Sequence, residues 1–208
     1  MFALEKLNYV EEGLKIKTNF FNEFKHLMVE LQEHSYLTYE HSIRVGSMLS
    51  ELGFRLGFSI QKTETLYIIG ILHDIGKINV SQRILNKSGT LTFEEWHELQ
   101  CHVKYSIELL VDLPLSKDVV EAIAAHHENV DGSGYPLGLT ASHIPYYAKM
   151  IRVVDSYDAM TDTRPYRNGL SCEQPLQELK KGIGNLYDSE IVNCFCEMII
   201  GESLNETR

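Results

Sequence analysis

No stretch of this 208-residue chain is apolar for long enough to cross a bilayer. The opening Met1-Phe2-Ala3-Leu4-Glu5-Lys6 is interrupted by charge, which excludes a secretory leader of ordinary design. Four cysteines are present (Cys101, Cys172, Cys194 and Cys196), but none form a CxxC pair, and Cys194-x-Cys196 alone is a poor zinc clip. They are expected as reduced thiols in a cytoplasmic protein. Cations are in deficit: the formal net charge is -10, which argues against sequence-independent binding to a DNA or RNA polymer. That deficit does not exclude an anionic small molecule, because bound metals and a few local cations can dominate a pocket. Internal repeats and low-complexity linkers are also missing.

What remains is a chain with 44% hydrophobic and 23% charged residues, enough for one sizeable core. Its apolar residues recur at helical spacing. Ile16, Phe20, Phe24, Leu27, Met28 and Leu31 predict a helix over 15–33, and Ile43, Val45, Leu49, Leu52 and Leu56 one over 38–57. The apolar stretch 63–75 runs into His73-Asp74. Thr92-Phe93-Glu94-Glu95 reads as a capping box opening one helix that carries Trp96, Leu99, Val103, Ile107 and Leu110 and stops at Pro114. A further helix is expected from about Ser116 to His127. Glycines and prolines then forbid regular helix between Asn129 and Gly138. Helix returns after Pro145 with Met150, Val153, Val154, Tyr157 and Met160. Ser171-Cys172-Glu173-Gln174 is a second capping box, and 188–200 forms a last helix. The expected fold is all-α. Its expected parts are an N-terminal helical segment (1–35), a main domain (36–200) and a polar tail (201–208). The aromatics of the first part favour packing on the core over a dimerising helix.

The residue types that carry chemistry concentrate in a few places. Adjacent imidazole and carboxylate ligands, as in Leu72-His73-Asp74-Ile75-Gly76-Lys77, suit a divalent transition metal, and the carboxylate can bridge two. With them stand His41, His102, His126-His127, Asp155, and the segment Asp131-Gly132-Ser133-Gly134-Tyr135-Pro136. Together these resemble the HD-GYP family, a branch of the HD-domain metal-dependent phosphohydrolases, over roughly residues 35–200 and in the family's order.

That resemblance implies an HD-domain helical bundle with the HD-GYP extension. It implies that His41, His73, Asp74 and Asp155 hold one metal, that His102, His126 and His127 hold a second, and that Asp74 bridges them. Iron and manganese are the expected ions. His126 and His127 are neighbours that diverge by about 100° on a regular helix, so both reach one cluster only if the helix frays there. Some members carry a Glu one turn before the first histidine. Leu37 stands there in this chain and Glu40 points elsewhere, so two metals are expected, not three. His26, His34, His97 and His143 fall outside the pattern and are read as structural or surface residues.

The resemblance further implies hydrolysis of cyclic di-GMP to 5′-pGpG, and on a second cut to GMP, by a hydroxide activated between two metals. No serine or cysteine here looks activated, so water is the expected nucleophile. Asp74 and Lys77 are the expected catalytic pair, with Lys77 on the scissile phosphate. Gly134 would let the main chain approach a ligand, and Tyr135 would offer a face to guanine. Arg164 and Arg167 would contact phosphate or base, unless they make structural salt bridges through Asp158 or Asp162. The alternatives are a non-catalytic cyclic di-GMP receptor and a hydrolase of 3′,3′-cyclic GMP-AMP. A bacterial signalling role, a homodimer, or an upstream receiver or sensory domain would fit the same family.

Overall fold

A computed structural model of the chain describes residues 18–161 and 173–206. Arg164, Arg167, Asp162, the Ser171-Cys172 half of the second capping box, and the aromatics Phe2 and Tyr9 lie outside the described residues. Within them the elements are helical. They are α1 Thr18–His34, α2 Tyr36–Arg55, α3 Ile60–Leu72, a 3-10 turn Ile75–Asn79, α4 Gln82–Leu85, α5 Phe93–Gln100, α6 His102–Leu110, α7 Lys117–Ala124, α8 Tyr146–Thr161, α9 Glu173–Lys181 and α10 Ser189–Glu206. Isolated bridges, Asp131 with Thr140 and Ile183 with Tyr187, close two loops.

The centre of the bundle is α3. Every residue from Leu66 to Leu72 is buried, so this helix is apolar all round, as a helix surrounded by others must be. It crosses α2 with almost no side chain between the backbones. A Cβ on Gly70 would sit 2.5 Å from the Cα of Gly46. Leu31, Leu49, Ile123, Met150 and Phe195, from five other helices, are fully buried around it. Each such side chain contributes about 1.5–3 kcal/mol relative to exposure. Phe24, Met28 and Leu31 of α1 join the same core, so this helix packs on the bundle.

Two departures from the expected pattern matter for the site. The single helix expected from Thr92 to Pro114 is two helices, broken at Cys101. The Thr92 capping box is present, with the Thr92 and Glu95 side chains each bonded to the other's backbone N–H. However, α5 has no buried residue, and Trp96, expected on the core face, is 46% exposed. The apolar spacing runs unbroken through Cys101, so periodicity cannot reveal the break. The second departure is at α7, which stops at Ala124 and leaves His126-His127 in a turn, as their joint use in one cluster requires.

The α2–α3 crossing gives a direct stability test. Gly70→Ala forces a methyl into the Gly46 backbone and is expected to lower the thermal midpoint, at a cost of about 1–3 kcal/mol. Gly201→Ala in α10, where an added methyl meets nothing, should hold or raise it. Equal midpoints for the two variants in a melting experiment would contradict the close crossing.

Candidate metal centre

Five parts of the bundle deliver seven side chains to one place. His41 comes from within α2, and Asp155 from within α8. His73 and Asp74 follow the last residue of α3, His102 is the first residue of α6, and His126-His127 follow α7. The ligand atoms fall into two sets, each within 4.8 Å: His41, His73 and Asp155, and Asp74, His102, His126 and His127. The His-Asp turn is clamped from α6. Ser106 Oγ accepts from the Gly76 backbone N–H at 2.9 Å and donates to the His73 carbonyl at 3.1 Å. Gly76 is required there, because a Cβ would lie 2.1 Å from the His102 carbonyl oxygen.

The ring nitrogens are sorted by their partners. His73 Nδ1 donates to the Gly70 carbonyl, His102 Nδ1 to that of Leu99, and His126 Nδ1 to that of Ile123, each at 2.6 Å. Carbonyls only accept, so Nδ1 carries the hydrogen and each Nε2 presents a lone pair when neutral. Those lone pairs converge. His102 Nε2 lies 3.3 Å from His126 Nε2 and 3.3 Å from Asp74 Oδ1. His73 Nε2 and Asp74 Oδ1 are buried with no hydrogen-bond partner. Acceptors facing acceptors in a buried site are unfavourable, and each orphaned group costs about 1–3 kcal/mol. A cation between them removes the conflict, and an imidazole–carboxylate set is chemically suited to a divalent transition ion. The residues present therefore fit the metal.

Asp74 divides its two oxygens. Oδ1 faces His102, while Oδ2 lies 3.5 Å from His73 Nε2 and 3.6 Å from His41 Nε2. Lys77, expected at the phosphate, is ion-paired with the same Oδ2. Burial opposes charge on Asp74, but Lys77 and the surrounding imidazoles hold its carboxyl well below the usual range. His41 differs from the other histidines. Its Nδ1 is 2.7 Å from Asp158 and its Nε2 is 3.1 Å from Asp155. Burial opposes its charge, yet these two carboxylates raise it to about 9. Burial lowers His102 to about 4 and His126 to about 3, and also lowers His73 and His127.

A family profile for the HD domain matches residues 25–191. The chain belongs to the HD domain family. Its Gly-Tyr-Pro loop puts this HD domain in the HD-GYP branch. It is 34% identical over 201 residues to a cyclic di-GMP phosphodiesterase of Thermotoga maritima, covering 95% of this chain and 54% of that protein. It is 32% identical over 161 residues to 3′3′-cGAMP-specific phosphodiesterase 1 of Vibrio cholerae, covering 76% and 37% respectively. The chain thus spans about half or less of the length of these relatives. Among solved structures it resembles an HDG"Y"P protein of Bdellovibrio bacteriovorus, with a TM-score of 0.62 at 17% identity over 76% of this chain and 51% of that one. That likeness is one of fold.

The HD domain contains supporting residues that sequence reasoning missed. Asp158, one helical turn beyond Asp155, is buried and accepts from His41 Nδ1 and from Arg44 Nε and Nη2 at 2.8 Å. Its carboxylate, one of two candidates for a salt bridge to Arg164 or Arg167, orients His41 among the described residues. The spacing Asp155-x-x-Asp158 was the available signal, since it places both carboxylates on one helix face. Glu128, also buried, accepts from the Leu137 and Leu139 backbone N–H groups at 2.7 and 2.9 Å, and so holds the Gly-Tyr-Pro loop. Gly134 brings the main chain close, but to the protein itself: a Cβ there would meet the Asn129 nitrogen at 2.3 Å. Tyr135 stacks on His127 with ring centres 4.7 Å apart. Glu40 bonds the Tyr36 hydroxyl and is absent from both ligand sets. His26, His97 and His143 are exposed, and His34 donates to the Val80 carbonyl.

The titrations set a pH profile for metal-free protein. His102 and His126 bind protons more readily unfolded, from 6.5 downward, so stability falls as pH drops below that value toward about 4 and about 3. His41 binds its proton more tightly folded, so its contribution is full below 6.5 and is lost as pH rises through about 9. Thermal midpoints of metal-free protein should therefore peak near 6.5 and fall on both sides; a flat profile across this range would contradict the assignment. Loading a divalent ion near neutral pH should expel about one proton per chain, from His41, as read with an indicator dye in weak buffer. No release would remove His41 from the ligand set.

Proposed function

We propose that this chain is a metal-dependent phosphodiesterase that opens cyclic di-GMP to linear 5′-pGpG. The observation that carries the reading is the division of Asp74 between two converging ligand sets, which supports a pair of ions sharing one carboxylate. Iron and manganese suit the donors. His41, His73, Asp155 and Asp74 would hold one ion, and Asp74, His102, His126 and His127 the other. Bound there, two divalent ions would acidify a water and offset the charge of a phosphodiester.

The chain's own groups do the rest. Lys77 keeps Asp74 ionised, and its partly exposed ammonium is within the site to donate to a phosphoryl oxygen. The Nδ1 hydrogen bonds fix each ring so that no rotation is needed when a ligand arrives. Asp158 holds His41, and Tyr135 packs on His127 and fixes that ring. Gly134 and Tyr135 in the loop, and Arg164 and Arg167 beyond α8, are the proposed contacts to the nucleotide. A second cut of pGpG to GMP uses the same centre.

The names of the relatives favour the substrate class: cyclic di-GMP for the Thermotoga protein and 3′3′-cGAMP for the Vibrio protein. The second of these makes cyclic GMP-AMP the other substrate to test. A complete ligand set weighs against a receptor without catalysis.

Anaerobically purified protein, loaded with iron or manganese, should convert cyclic di-GMP to pGpG, with about two ions per chain. Asp74→Asn should lose metal and turnover together while helicity persists. An Asp74→Asn protein that retained both would overturn the centre. Full metal content with no hydrolysis of either dinucleotide would favour the receptor.

A further inference from the structure

Helix α5 has no evident role in the core. None of its residues is buried, yet its N-terminus carries a complete capping box and Glu95 is ion-paired with Lys87. The polar contacts anchor it at one end. Its indole, from Trp96, reaches the Gly-Tyr-Pro loop, with ring centres 6.3 Å from Tyr135 and planes at 78°. Tyr135 in turn is stacked on His127, which belongs to the second ligand set. A line of three aromatic rings therefore leads from solvent to the metal centre. Its inner two members are engaged with each other, and its outer member is 46% exposed.

We propose that Trp96 is the shelf on which one nucleobase of the substrate stacks. This rests on the reading of the centre as a site for a cyclic dinucleotide. A nucleotide with its phosphate at the ligand cluster projects its base outward, and Trp96 stands outward of the cluster by two ring contacts, 4.7 Å from His127 to Tyr135 and 6.3 Å from Tyr135 to the indole. The sequence alone pointed to Tyr135 for this task, but one face of that ring is spent on His127. Phe93, 79% exposed and one helical turn before Trp96, and Leu137, 72% exposed and two residues after Tyr135, extend an apolar rim on these same two elements. Every base has a π-face, so stacking here serves guanine and adenine alike, and choice between them falls to groups elsewhere.

Trp96 is the single tryptophan of the chain, so emission excited at the red edge, beyond tyrosine absorption, reports this position alone. Metal-loaded protein titrated with GMP and with AMP should show saturable quenching, whereas ribose 5-phosphate, which lacks a base, should not quench. Trp96→Ala should raise KM for cyclic di-GMP roughly tenfold, the lower part of the range for one base stack, and Trp96→Phe should recover most of that loss. Circular dichroism checks that both variants keep their helices. Hydrolysis of cyclic di-GMP with no quenching by GMP and an unchanged KM in Trp96→Ala would overturn the shelf and leave the proposed activity standing. Quenching by GMP without hydrolysis of any cyclic dinucleotide would keep the shelf and overturn the activity. Neither quenching nor hydrolysis would overturn both.

Discussion

The Nε2 atom of His102 is held 3.3 Å from two other acceptors, Nε2 of His126 and Oδ1 of Asp74, with no hydrogen to share among them. That arrangement is unfavourable by itself, so it must be imposed by the packing around it. The imposing parts are identifiable. The α2–α3 crossing at Gly46 and Gly70 brings His41 and His73 to a ring separation of 5.3 Å, and Gly76 lets α6 press its first residue against the His-Asp turn. The core pays for a site whose electrostatics become favourable only when a cation arrives. This is the usual relation between a rigid scaffold and a strained functional site.

A second consequence of the same packing concerns charge. The chain is acidic overall, yet its centre is built mostly from neutral imidazoles around two carboxylates. Helices α3, α5 and α7 all end at the cluster, and the C-terminal end of a helix carries partial negative charge. Cations are therefore favoured there by backbone as well as side chains. On the proposed reading, an anionic substrate would meet a region whose sign is set by bound ions.

The residues that the fold gathers into the candidate centre were legible because each is a rare residue type at a marked place: an adjacent His-Asp, a doubled His before a glycine-rich loop, an Asp inside an apolar helix. The family resemblance converted those marks into a ligand set, and the fold class followed from helical spacing in α1, α2 and α8. What escaped has a common cause. Asp158 looks like any acid on a helix, and only the tertiary contact with α2 makes it the partner of His41. Glu128 acts through backbone N–H groups nine and eleven residues away, which no side-chain pattern announces. The break at Cys101 is invisible because apolar spacing continues across it, and with it Trp96 passed for a core residue. Arg164 and Arg167 remain expectations outside the described residues.

The three carbonyls that receive Nδ1 hydrogens, those of Gly70, Leu99 and Ile123, each fall among the last four of their helices, the carbonyls that helix geometry leaves without an intrahelical partner. His73, His102 and His126 thus each also satisfy a carbonyl at the end of the helix before them. Fraying of that last turn would free the ring to exchange tautomers and swing out, and a ring held by an ion would keep the turn wound. Occupancy of the centre and order at three helix ends are therefore one equilibrium. Amide protons in the final turns of α3, α5 and α7 should exchange with solvent in step with the ions' departure.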